Sequence, residues 1–148
     1  MKLLPTYRAY FFTNFYLSDI QKGIQPLHVV GDMAALYVDD SEKRDMFLEW
    51  AGKDKVAIVL NGGNCAALDE IYTQLSGCDY PLAKFEEDYE SLNCATTCVG
   101  VILPDSIWDN GRHNENFLGN VMNIFHRDNT LTPQNQWLVD NLHRYRLA

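Results

Sequence analysis

Gln21, Gln25 and His28 are separated by four and then three positions, so on a helix their side chains would line one face. They follow the aromatic-rich run Arg8 to Phe15 and the pair Ser18-Asp19, where a strand would turn into a helix. A side-chain amide can donate to a developing oxyanion, and an imidazole can donate, accept or exchange a proton near neutrality. The set suits recognition of a carbonyl or hydroxyl oxygen, and equally the capping of backbone groups at the turn. Glu86, Glu87, Asp88 and Glu90 form a second group, in which neighbouring carboxylates repel one another. Such a cluster persists where it is solvated, or where a cation or general acid–base chemistry needs it.

The elements that would hold these residues can be read from the pattern. Pro26 has no amide to give to a helical ladder, so regular helix is expected to begin near Gly23. Pro26 then falls in the first turn, Gln21 in the preceding turn, and Leu27, Val30, Ala34 and Tyr37 inward. Ser41 to Ala51 interleaves charges with Met46, Phe47 and Trp50, which predicts a second amphipathic helix ended by Gly52. Lys55 to Leu60 reads as a strand, Asn61-Gly62-Gly63-Asn64 as a turn and Cys65 to Leu75 as a helix. The glycine pair lacks a following lysine, so turn geometry explains it better than a phosphate cradle.

Tyr80 to Phe85 and Thr96 to Leu103 complete a set of four strands. Asp105 to Glu115 is expected to be a loop and Phe117 to Phe125 a helix. Thr132-Pro133 supplies an N-cap and first position for a terminal helix reaching about Tyr145. In that helix Trp137, Leu138, Leu142 and Tyr145 form an apolar stripe, which suits core packing first and a homodimer interface second.

With 148 residues and 47% apolar content, the chain can bury one sizeable core. The expected fold is a single α/β domain: a four-stranded mixed sheet with helices on both faces, plus an extra C-terminal helix. No apolar run is long enough to span a membrane, and Met1-Lys2-Leu3-Leu4-Pro5 is broken too soon for a signal peptide, so a cytoplasmic protein without membrane partners is expected. Cys65, Cys78, Cys94 and Cys98 lack zinc-site spacing and read as reduced, partly buried thiols. Neither a metal nor another cofactor is expected. The net charge of −8 and the scattered cations lower the prospect of an extended nucleic-acid interface.

Taken together, the order of elements and the segment from Leu17 to His28 resemble peptidyl-tRNA hydrolases of the archaeal and eukaryotic type, with their bacterial and phage relatives. That family carries a motif Met-Ser-Lys-Gly-Lys-x-x-x-Gln-x-x-His. Leu17-Ser18 lie on its Met-Ser, Gln21 on its second lysine, Gln25 on its glutamine and His28 on its histidine. Phe85-Glu86-Glu87-Asp88 resembles a Phe-x-Glu-Pro-Asp motif without the proline, and Thr96-Thr97 lie where the family has a threonine. The resemblance covers roughly residues 8 to 126, leaving 127 to 148 as an extension.

The resemblance implies hydrolysis of the ester between a peptide or amino acid and tRNA. Gln21, Glu87, Asp88 and Thr96 would be catalytic, and Lys22, Gln25, His28 and Thr97 would bind substrate. Gln21 departs from the family, because an amide cannot bring a lysine's charge. Lys22 and Lys84 are neighbouring cations that could substitute for it. The alternative is an inactive, phage-like homologue that binds a protein, a nucleotide or an RNA end.

Overall fold

The aromatic run forms strand β1, Tyr7–Asn14, and its alternating side chains feed two cores. Tyr7, Ala9 and Phe11 enter one, and Tyr10 and Phe12 the other, as the two-residue period of a strand requires. The computed structural model describes residues 5–88, 95–112 and 132–148. Glu90, Cys94 and the expected helix at 117–125 lie outside the described residues.

Strand β2, Val56–Gly63, runs parallel to β1, while β4, Thr96–Pro104, lies antiparallel on its other side. Strand β3, Leu82–Glu86, pairs antiparallel with β4, giving one four-stranded mixed sheet in the order β2-β1-β4-β3. Every residue of the inner strand β4 is buried, in keeping with its nearly unbroken run of apolar and small residues. The free edge of β2 is partly covered by the C-terminal tail. Asn61 N donates to Arg146 O, and Ala148 N to Val59 O.

Helices α1, Asp19–Leu36, and α2, Ser41–Glu49, cover one face; a single π-type turn, Trp50–Asp54, follows α2. Val29, Met33, Phe47 and Trp50 bury there with Phe11, Cys98 and Ile102. Helices α3, Cys65–Leu75, α4, Asp105–Arg112, and α5, Pro133–Asn141, pack on the other face. Leu68, Ile71, Leu75, Ile107 and Leu138 meet Phe12, Val99 and Val101 in that core. The α5 stripe is thus used within the fold: Leu138 and Leu142 are buried, and Trp137 and Tyr145 pack against the same cluster. Asn64 caps α3 and Thr132 caps α5, each by accepting a backbone N–H three residues on.

Four local expectations need correction. Asn61, Gly62 and Gly63, expected as a turn, continue strand β2 alongside Thr13 and Asn14. Helix α1 begins at Asp19 rather than near Gly23, because Ser18 and Gln21 form a reciprocal capping box that satisfies its first turn. It then continues through Pro26, which gives up one ladder bond but buries its ring. The inward side also differs from expectation. Gln25, Pro26, Val29 and Met33 are buried, whereas Leu27 and Ala34 are exposed and Val30 and Tyr37 only half-buried. The segment expected as a loop after Pro104 contains α4, anchored by the fully buried Ile107 and by Trp108, beneath whose ring Arg8 stacks at 3.5 Å.

Gly100 fixes how closely α1 approaches the sheet. A Cβ at this position would lie 2.6 Å from Val29 Cγ1 and 2.9 Å from Phe11 Cδ1. Past the helix end, the Tyr37 hydroxyl donates to Leu82 O at 2.7 Å and accepts from Leu82 N at 3.0 Å, tying α1 to the outer strand β3. These constraints set where the first turn of α1 stands relative to the ends of β3 and β4.

Candidate functional site

The carboxyl ends of the parallel strands β1 and β2 lie side by side, and α1 and α3 start just beyond them. Ligand crevices in α/β sheets commonly form outside such strand ends, where helix N-termini also converge. Here a cavity of about 370 Å³ is lined by Asn14, Tyr16, Leu17, Gln21, Cys65, Glu87, Ala95 and Thr97. Three of the residues singled out from the sequence, Gln21, Glu87 and Thr97, therefore share one cavity.

A chain of hydrogen bonds fixes Glu87 at its wall. Gln25 is 4% exposed, and its buried amide has a partner on each side. Thr97 Oγ1 donates to Gln25 Oε1 at 3.1 Å, and Gln25 Nε2 donates to Glu87 Oε2 at 3.3 Å. Asp88 N donates to the other Glu87 oxygen at 3.3 Å, and Glu87 N donates to Ala95 O at 3.0 Å. Both carboxylate oxygens are therefore oriented from within the fold.

Thr97 reaches Gln25 through an irregularity in the sheet. Phe85 pairs with Cys98 but Glu86 pairs with Thr96, so Thr97 is an additional residue in β4. The bulge turns Thr97 toward α1, the side on which Cys98 is buried. Thr96 points instead toward α3, where its Oγ1 donates to Asp69 Oδ1 at 2.6 Å. Lys84 Nζ lies 2.9 Å from Glu86 Oε1 and 3.9 Å from Asp69 Oδ1, closing a charged network behind the bulge. The Glu86 hydrogen bond holds the Lys84 ammonium above the ordinary lysine range, against the opposing effect of partial burial. Compared with known protein families and with curated proteins, the chain matches none.

The remaining sequence candidates fall around the cavity rather than in it. Asp88 is exposed and contributes its backbone N–H to Glu87. His28 is exposed and stacks its ring on Phe85, with centroids 4.3 Å apart and planes at 11°. Lys22 is half-buried, 4.0 Å from Asp19. Lys84 belongs to the α3-side network and does not line the cavity.

Gln21 occupies the third position of α1, where its Oε1 accepts from Ser18 N at 3.2 Å and its own N–H donates to Ser18 Oγ at 3.3 Å. Its remaining polar group is the NH2, a donor. Sequence reading missed Asn14, Tyr16 and Cys65. Asn14 is 4% exposed, and its Nδ2 donates to Thr96 O at 3.4 Å and Cys65 Sγ at 3.5 Å. The polar pair Thr13-Asn14 closing an aromatic-rich strand was the available signal for Asn14.

Among the described residues no group of three or more His, Cys, Asp and Glu side chains is placed to hold a metal ion. Also among the described residues, no helix is long and apolar enough to cross a membrane. Cys65, Cys78 and Cys98 are free thiols, and burial raises the pKa of the latter two.

Proposed function

We propose that this chain is a hydrolase of the peptidyl-tRNA hydrolase type, cleaving the ester that joins a peptide or amino acid to the 3′ end of tRNA. The observation that carries the reading is the oriented carboxylate of Glu87, held through Gln25 by Thr97, in a cavity that also contains the Gln21 amide.

In this mechanism Glu87 takes a proton from water as the water oxygen attacks the ester carbonyl carbon. The Gln21 NH2 donates to the oxyanion of the tetrahedral intermediate. Collapse of that intermediate breaks the bond to the ribose oxygen, which receives the proton from Glu87. Gln25 and Thr97 act by positioning Glu87, and Asn14 contributes polarity at the cavity wall. Asp88 remains the alternative carboxylate, while Thr96 is a support for the bulge. Lys22 and His28 lie on the same helix and would contact parts of the substrate outside the cavity.

A second reading, a binding module that holds an RNA or peptide end without turnover, is favoured by one feature. Gln21 carries no charge and has its carbonyl oxygen committed to the helix cap. Incubation with a peptidyl-tRNA mimic separates the two. Hydrolysis above buffer that drops on Glu87→Ala and Gln21→Ala supports the enzyme. Binding without hydrolysis supports the module, and hydrolysis unchanged in both variants overturns the assignment of residues.

A further inference from the structure

A second cavity, of about 230 Å³, opens beside the start of β1. Arg8, Trp108 and His143 give it a polar side, and Ile58, Leu60 and Leu142 an apolar one. Arg8 and Asn14 stand near opposite ends of β1, about 20 Å apart along the strand, so this cavity is separate from the one at Glu87. Although the chain carries a net charge of −8, no carboxylate side chain lines this cavity among the described residues.

Two donors at this cavity have no hydrogen-bonding use within the described fold. Trp108 Nε1 is buried and has no partner among the described residues, a costly state for an N–H group. The Arg8 guanidinium lies 3.5 Å from the centre of the Trp108 ring, and none of the ion pairs among the described residues involves it. Stacking occupies the face of a guanidinium and leaves its in-plane N–H fork for a second contact. That fork matches the two oxygens of a carboxylate. The Tyr145 phenol also lines the cavity, and burial raises its pKa, which keeps the hydroxyl protonated as a further donor.

We propose that this cavity is a binding site for a small organic carboxylate with an aromatic or branched aliphatic body. The carboxylate meets the Arg8 fork, with Trp108 Nε1 as a second donor, and the body lies against Ile58, Leu60 and Leu142. Inorganic phosphate fits less well, because it has no apolar part and would turn charged oxygens toward that floor. A free amino acid brings an ammonium group, for which the lining supplies no carboxylate. The volume lies below the range of about 300–1,000 Å³ usual for drug-sized ligands, so the body is a single ring or a short branched chain. The site stands independently of the hydrolase reading.

The test is titration of the full chain with 3-phenylpropanoate, following the indole N–H resonance of Trp108, which Trp108→Phe assigns. A saturable shift is expected. The neutral analogue 3-phenylpropan-1-ol and the zwitterion phenylalanine should each bind at least about tenfold more weakly, since hydrogen bonds to a charged group are the strong ones. Arg8→Met keeps a side chain of similar reach against Trp108 but removes the fork, and should weaken 3-phenylpropanoate by about tenfold to a hundredfold. The unfolding transition of Arg8→Met verifies that the variant is folded.

No saturation by 3-phenylpropanoate up to about 10 mM overturns the proposal. So does equal binding of the alcohol or of phenylalanine, or unchanged affinity in folded Arg8→Met. Inorganic phosphate that displaces 3-phenylpropanoate at equal concentration overturns the choice of an organic acid. If Arg8→Met does not fold, the comparison of acid, alcohol and zwitterion on the wild-type chain decides. Glu87→Ala should leave this binding unchanged, so failure of the ester hydrolysis and failure of this site are read apart.

Discussion

The side-chain amide of Gln25 donates to the Glu87 carboxylate at 3.3 Å, joining residues 62 positions apart through the face of α1 and the end of β3. Because Thr97 donates to the other end of the same amide, the three side chains form one polarised path from the sheet to the cavity.

Thr97→Val removes the hydroxyl and keeps the shape. It leaves the buried Gln25 carbonyl oxygen without this donor, which costs about 1–3 kcal/mol of stability. Urea unfolding of wild type, Thr97→Val and the pair Thr97→Val/Gln25→Leu measures it. The double variant should recover part of the loss, since removing both partners costs less than orphaning one. If hydrolysis is present, Thr97→Val should lower kcat more than it raises KM, because it loosens Glu87 rather than a substrate contact.

On the proposed hydrolase reading, Gln21→Lys places a cation beside the position of the developing oxyanion and should raise turnover of a peptidyl-tRNA mimic, on the order of tenfold. The same change removes the acceptor for Ser18 N–H and should lower stability by a few tenths to about 1 kcal/mol. Higher activity with a lower unfolding midpoint is the expected pair of results. An unchanged rate in a folded variant would show that charge at this position is not limiting.

Gly100→Ala forces a methyl group between α1 and the sheet, 2.6 Å from Val29 Cγ1. Movement of Val29 or of the helix should destabilise the chain by about 1–3 kcal/mol. On the proposed hydrolase reading, activity should fall alongside stability, since α1 carries both Gln21 and Gln25. Thermal unfolding combined with hydrolysis at a temperature well below the transition separates these effects.

Stability should decline in alkaline solution. Burial raises the thiol pKa of Cys78 and of Cys98, which is fully buried. Above about pH 8.5 the unfolded thiols lose protons while the native thiols keep them. The native state then binds more protons, and unfolding free energy falls with rising pH. The contribution is fully present below the ordinary thiol value and is lost toward the higher native pKa. The phenol of Tyr80, raised mainly by burial, extends the decline above about pH 10. Cys98→Ala should lower stability at pH 7 by creating space, yet flatten the slope between pH 8.5 and 10.5. An identical slope in the variant would exclude this thiol as a source.

Much of the scaffold was legible from local patterns. The apolar runs of β1 and β4, the Thr132 cap, and the boundaries of α3 follow from nearest-neighbour physics, as does the mixed α/β class. The start of α1 was not so easily placed, because the penalty of Pro26 and the benefit of the Ser18–Gln21 box compete within a single turn. Sequence supplied both terms without their balance. Helix α4 was missed for a related reason: a short polar segment gains its order from burying Ile107 and Trp108 against a sheet that local patterning does not describe.

The sequence by itself determined which polar groups were available: the amides of Gln21 and Gln25, the carboxylates around Glu87 and the adjoining threonines. Only the tertiary structure decided which of them meet. One additional residue at the β3–β4 pairing sends Thr97 toward Gln25 and Thr96 toward Asp69. That choice depends on the register of two strands, and adjacent threonines are chemically alike until the register separates them.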